Sequence, residues 1–143
     1  MYQLKTLVLF LFIIAINQQE VYSQQDFQTT IETSIINRAP WSLTFISSGC
    51  FHNTEEKIFI SYINEDIFLH RVKDGKRHSK KQLSDEQIDA LIDFEIQLLQ
   101  RPSNYVGCTT VETYFVNSEF NSYDVRDSSC SWNGYHTLVK NIK

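Results

Sequence analysis

Three cysteines and four histidines hold most of the reactive chemistry this chain can offer. Cys50 stands two residues before His52, and residues two apart on a strand share a face. A thiol beside an imidazole is the minimal pairing for a nucleophile and its base, with His70 or His136 as alternative partners from elsewhere in the fold. Cys50, His52, Cys108, Cys130 and His136 together also supply the thiolate and imidazole groups that zinc prefers. Neither possibility has a motif behind it. The spacings match no known zinc ligand pair, and nothing supplies an oxyanion site or a group to orient a histidine. A leftover thiol is more often inert and buried than reactive. No residue is therefore assigned to catalysis, and no metal or other cofactor is expected.

The fate of the thiols depends on where the chain resides. Lys5 is followed by ten uninterrupted apolar residues, Leu7 to Ile16. That run is too short to cross a bilayer, which takes about 20 residues. Val21 and Ser23 then stand at the −3 and −1 positions of a signal-peptidase site, with no cysteine at the junction. The sequence thus predicts a cleaved signal peptide over residues 1–23 and a secreted or periplasmic protein beginning at Gln24. Removing 23 of the 143 residues leaves 120, the size of a single domain. In an oxidising compartment two of the three cysteines pair. Cys108 and Cys130 flank a hairpin centred near Glu119, which would set them opposite each other at disulfide distance. Pairing of Cys50 with either one is the alternative. The first pairing leaves Cys50 as the free thiol, and closing that loop would stabilise by about 3 kcal/mol in the chain-entropy picture.

Two local sequences could contact a partner. Lys73 to Lys81 is a basic stretch in which Lys76, Arg77, Lys80 and Lys81 could meet an anion or an acidic surface, although a solvated loop explains it as well. Trp132, Asn133, Tyr135 and His136 form an aromatic and polar cluster of the kind common on binding surfaces, which Tyr123 and Tyr114 could extend. The same residues also suit a core corner where an indole covers a disulfide. The net charge of −4 gives no electrostatic reason to seek nucleic acid or anionic lipid.

These residues must be positioned by a recognisable series of elements. Phe27, Ile31 and Ile35 recur every fourth residue, and Asp26 could cap a short helix running to Asn37. Trp41 to Ser47 alternates as a half-buried strand, and Lys57–Ile63 with Asp66–Val72 reads as a hairpin. The stretch from Lys73 to Lys81 reads as a loop. Leu83 to Gln100 is the clearest helix, with Ser84 and Gln87 forming a capping box and Ile88, Leu91, Ile92, Glu95 and Leu99 following the helical period. Thr109–Val116 and Ser122–Arg126 give a second hairpin, and Ser131 would cap a last helix through Tyr135, Leu138, Val139 and Ile142. The expected fold is α+β: a two-layer sandwich of an antiparallel sheet with helices on one face, in ββα-ββα order after a first strand.

A Gly-Cys after the first strand, a helix opened by Leu83-Ser84-Asp85-Glu86-Gln87-Ile88, a second Gly-Cys before a hairpin, and then Cys130-Ser131-Trp132 with a terminal helix form a layout. That layout resembles small secreted domains of unknown function found in Bacteroidetes-type bacteria, where a glutamine after the cleavage site, here Gln24, is also common. The resemblance implies an exported α+β domain. It carries no assigned activity, so no functional residue follows from it.

The expectation is an exported binding module that recognises another protein, in the manner of an inhibitor or immunity protein, as a monomer or a disulfide-linked dimer. A minor enzyme or metal-binding protein using Cys50 with His52 or His136 is the first alternative. A structural component of the cell envelope is the second.

Overall fold

A computed structural model describes residues 28–101 and 108–143. The expected signal peptide and the Asp26 cap lie outside the described residues. The elements run α1 (Thr30–Ile36), β1 (Trp41–Gly49), β2 (His52–Ile63), β3 (Asp66–Lys73), β4 (Lys76–Gln82), α2 (Asp85–Leu99), β5 (Val111–Ser118), β6 (Ser122–Asp127) and α3 (Gly134–Asn141). The strands form one open antiparallel sheet in the order β4-β3-β2-β1-β5-β6. The α+β class is therefore as the sequence implies.

Period-two alternation sets the register. Leu43 of β1 lies between Ile58 of β2 and Val116 of β5, and Ile60 lies opposite Leu69 of β3. These side chains share one face and are all buried. A one-residue slip of any strand would turn its whole apolar set to solvent, so the register is strongly specified. The helices cover this face. Leu91, Phe94 and Leu98 of α2 and Tyr135, Leu138 and Val139 of α3 join the same cluster. Burying one such aliphatic or aromatic side chain is worth about 1.5–3 kcal/mol. The opposite face leaves Thr44, Lys57, Phe59 and Phe115 partly or fully exposed.

The expected basic loop is in fact mostly a strand. Lys76 to Gln82 is β4, paired antiparallel with β3, with a register shift between Arg71 and Val72. Asp74 and Gly75 both have positive φ (48° and 74°), the backbone of a two-residue hairpin turn whose twist matches its flanking strands. β4 contains no apolar residue, so no alternation announces it. It is held by backbone pairing to β3, and its lysines suit an edge that must not recruit further strands. The chain therefore runs four strands before α2 and two before α3, not two matched ββα units.

The caps differ in detail from expectation. Ser84 and Gln87 do form the capping box of α2. The Thr29 hydroxyl accepts from the Glu32 amide and caps α1. At α3 the N-cap position is Asn133, and the Ser131 hydroxyl turns to Ser129 instead. Gly134 opens α3 because the Trp132 indole lies flat against it. A Cβ there would stand 2.1 Å from Trp132 Cζ2, a separation no side chain can occupy.

A buried acid ties three elements together. Glu95 of α2 sits in the apolar stripe with none of its surface exposed. Its carboxylate accepts from the backbone amides of Thr30 (2.9 Å) and Ile31 (2.8 Å), from the Thr30 hydroxyl, and from Tyr123 Oη (2.8 Å). Trp41 Nε1 donates in turn to the Thr30 hydroxyl (3.2 Å). A buried charge persists only when its lone pairs are satisfied in this way.

Candidate functional site

The sheet outruns its apolar core at one corner. Phe45 is the last apolar residue on the buried phase of β1, and Ser47 follows it. On β2 the same phase reads His52, Thr54, Glu56, and on β3 it ends in Arg71 and Lys73. One side of α3, carrying His136, Val139 and Lys140, lies over this corner with Lys143 just beyond it. Together these residues line a cleft of about 550 Å³.

Glu56 organises the floor. Its side chain is only 6% exposed, although it stands in phase with Ile58 and Ile60. Arg71 donates to Glu56 Oε2 through both Nε (2.9 Å) and Nη2, Lys73 Nζ lies 3.1 Å from Oε1, and Tyr135 Oη donates to Oε2 (3.0 Å). Burial alone would raise the Glu56 carboxyl. The hydrogen bonds from Arg71, Lys73 and Tyr135 outweigh burial and hold it below the ordinary carboxylate range, so it is ionised at neutral pH. A group locked in this form is a clamp for cations rather than a proton donor. Burial and the neighbouring Glu56 charge push the Tyr135 phenol well up, so it serves only as a donor. Its ring stacks on Phe45 at 4.0 Å, which fixes the hydroxyl over the acid.

The cleft is electropositive. Arg71, Lys73, Lys140 and Lys143 face the single carboxylate of Glu56. Two cations of the edge strand continue this surface: Lys76 and Lys81 stand opposite Lys73 and Leu69, and Lys81 Nζ donates to the Lys143 main-chain oxygen (2.8 Å), whereas Arg77 and Lys80, opposite Val72 and His70, lie on the other face with Lys80 over the Phe68 ring. The cleft and the adjoining face of β4 thus gather six of the chain's 13 lysines and arginines, on a chain whose net charge is −4. At the mouth, Ser47 Oγ and His52 Nε2 are 3.1 Å apart.

The structure separates the residues that the sequence grouped. Cys108 and Cys130 are disulfide-bonded just beyond β5 and β6, with Cα atoms 5.9 Å apart, so neither is available as a thiolate. Cys50 is free and exposed in the β1–β2 turn, outside the lining of the cleft, while His52 and His136 both line it. Among the described residues no three His, Cys, Asp or Glu converge as metal ligands. His70 lies on the other face of the sheet, stacked on Phe59 at 4.6 Å and 2.7 Å from Ser61 Oγ.

The 132–136 cluster is divided by the helical turn it enters. Trp132 and Asn133 border a different groove, between α2 and α3, together with Asp89, Asp93 and Phe94. Trp132 stacks on Phe94 and meets Tyr114 edge-on, with the Arg101 guanidinium over its ring. Tyr135 and His136 both line the basic cleft, Tyr135 from beneath with its hydroxyl on Glu56. Tyr123 is partly buried and spends its hydroxyl on Glu95. Glu56, Arg71, Lys140 and Lys143 were not singled out by sequence, and Lys73 entered only as the start of the basic stretch. The one local sign was Glu56 itself, an acid in the apolar phase of a strand.

No model of a protein family, no curated protein and no solved structure matches this chain.

Proposed function

We propose that this chain is an exported binding module that recognises an acidic surface of another protein through its basic cleft and the adjoining β4 edge. The observation that carries this reading is the concentration of cations at one corner of a net-negative molecule. Such a patch steers an acidic partner into register and repels the wrong face. The opposite charge lies elsewhere: Glu86, Asp89 and Asp93 border the α2–α3 groove. That separation disfavours long polyanions such as nucleic acid, which would have to run past the acidic side, and favours a compact partner with a local acidic patch. A disulfide between Cys108 and Cys130 is in keeping with an oxidising compartment. Action as an inhibitor of another exported protein fits the small size and rigid hairpin frame. The alternative of a Cys50 enzyme gains no support from the geometry, because Cys50 stands outside the cleft.

The test compares the purified protein with its K76E/K81E variant, which reverses the two β4 cations on the cleft face, as immobilised bait for the exported proteins of the source cells. A protein retained stoichiometrically by the wild type, and lost both from the variant and at raised salt, is the expected result. Identical retention by both baits would overturn the proposal.

A further inference from the structure

The cleft has the construction of a site for one compact, doubly charged oxyanion. We propose that it binds a phosphomonoester group, held by Arg71, Lys73, Lys140 and Lys143. This names the chemistry taken by part of the recognition surface above, and it rests on that reading only in treating this corner as the binding face.

Three features point to this class. The first is charge: four cations against one carboxylate leave a positive surplus that a monoanion cannot neutralise. The second is donor geometry. Recognition of a planar carboxylate uses the two-pronged fork of an arginine. At Arg71 that fork is already engaged, since Nε and Nη2 both donate to Glu56 Oε2. What remains is the Nη1 end of Arg71 and the ammonium groups of three lysines. Ammonium groups act as point charges without a preferred plane, which suits the distributed oxygens of a tetrahedral anion. The third is preorganisation. The Glu56 carboxylate and the Tyr135 hydroxyl fix Arg71 and Lys73 from beneath, so their positions do not have to be ordered when a ligand arrives. Lys140 and Lys143 stay exposed above them. The volume, about 550 Å³, exceeds a bare phosphate and lies in the range of small-molecule sites, so the group would enter on a small polar body or a partner's side chain.

His52 and His136 line the same cleft and provide the readout. A dianion bound beside them changes the surroundings of both rings, so their ring-proton signals report occupancy of the cleft. His70 and His78 lie outside the cleft lining and serve as internal controls.

The experiment is a titration of the purified protein with glycerol 3-phosphate, inorganic phosphate and acetate at matched ionic strength, followed by NMR of the histidine ring protons. Saturable one-to-one shifts of His52 and His136, with His70 and His78 unmoved, are expected. Both phosphates should bind at least about tenfold more tightly than acetate. K140Q/K143Q, which removes two of the four cations, should weaken the phosphates by at least about tenfold, without changing the melting temperature. R77Q/K80Q, on the other face of the sheet, should leave binding unchanged. Tighter binding of glycerol 3-phosphate than of inorganic phosphate would place the body of the ligand in the cleft, whereas equal binding would restrict recognition to the phosphoryl group. Linear, unsaturable shifts, acetate binding as tightly as phosphate, or an unaffected K140Q/K143Q variant would each overturn the proposal. Phosphate binding without partner capture by the β4 edge would overturn the protein-partner reading alone, and the reverse result would overturn this one alone.

Discussion

Replacing Glu95 by glutamine or alanine should be among the most damaging single changes this fold can suffer. The carboxylate is fully buried and receives four donors: the amides of Thr30 and Ile31 and the hydroxyls of Thr30 and Tyr123. Hydrogen bonds to a charged acceptor contribute about 1.5–3 kcal/mol each when removed singly. Glutamine keeps one carbonyl oxygen, but its amide nitrogen must face a donor, so E95Q should cost about 2–4 kcal/mol. E95A leaves two amides at the start of α1 and a buried phenol without partners. It should cost about 3–5 kcal/mol, a large part of the roughly 5–15 kcal/mol that holds a domain of this size. Y123F deletes one donor and should cost about 1.5–3 kcal/mol, at the lower end because Tyr123 is only partly buried. Because Tyr123 and Glu95 are directly bonded, the E95Q/Y123F double variant should be less destabilised than the sum of the two singles. Urea unfolding followed by the fluorescence of Trp41 and Trp132 measures all four variants. A cost for E95Q below about 0.5 kcal/mol, or strict additivity with Y123F, would refute the idea that this acid holds α1, α2 and β6 together.

Two further outcomes follow from the same geometry. The C108S/C130S variant, which opens a loop between cysteines 22 residues apart, should lose about 3 kcal/mol by urea unfolding, and a loss under 1 kcal/mol would mean the bridge does not constrain the unfolded chain. Burial, reinforced by Lys80 and Arg77, lowers the His70 pKa below its ordinary 6.5, so the unfolded chain takes up that proton first. Stability should therefore begin to fall as pH drops through about 6.5 and keep falling until the lowered folded-state value is reached. H70Q should flatten that stretch of the profile, and an unchanged slope in H70Q would assign the acid sensitivity to other groups.

The apolar framework was legible because its periods are strong. Trp41, Leu43 and Phe45 alternate cleanly, and the Leu83-to-Gln100 segment carries both a capping box and an apolar stripe. β4 was not legible. An edge strand made of KRHSKKQ shows no alternation, and its partners on β3 supply all the information that makes it a strand. Glu95 was visible in the packed stripe of its helix, but its reason for being there lies 65 residues earlier in the chain, at Thr30. The cleft was hidden for a similar cause. Its four cations come from β3, α3 and the residues just past it, and only the pairing of β1, β2 and β3 beneath α3 brings them around Glu56. Local sequence instead drew attention to Trp132 through His136, where helical geometry sends successive side chains into different environments.

The most direct test of recognition by the basic corner is the association rate of a captured partner, measured on immobilised protein from about 50 to 500 mM salt, where screening shortens the reach of charge. If cleft and edge steer the partner, the rate should fall steeply with salt, and K76E/K81E should slow association while leaving dissociation nearly unchanged. An association rate that ignores both salt and charge reversal would contradict recognition at this site.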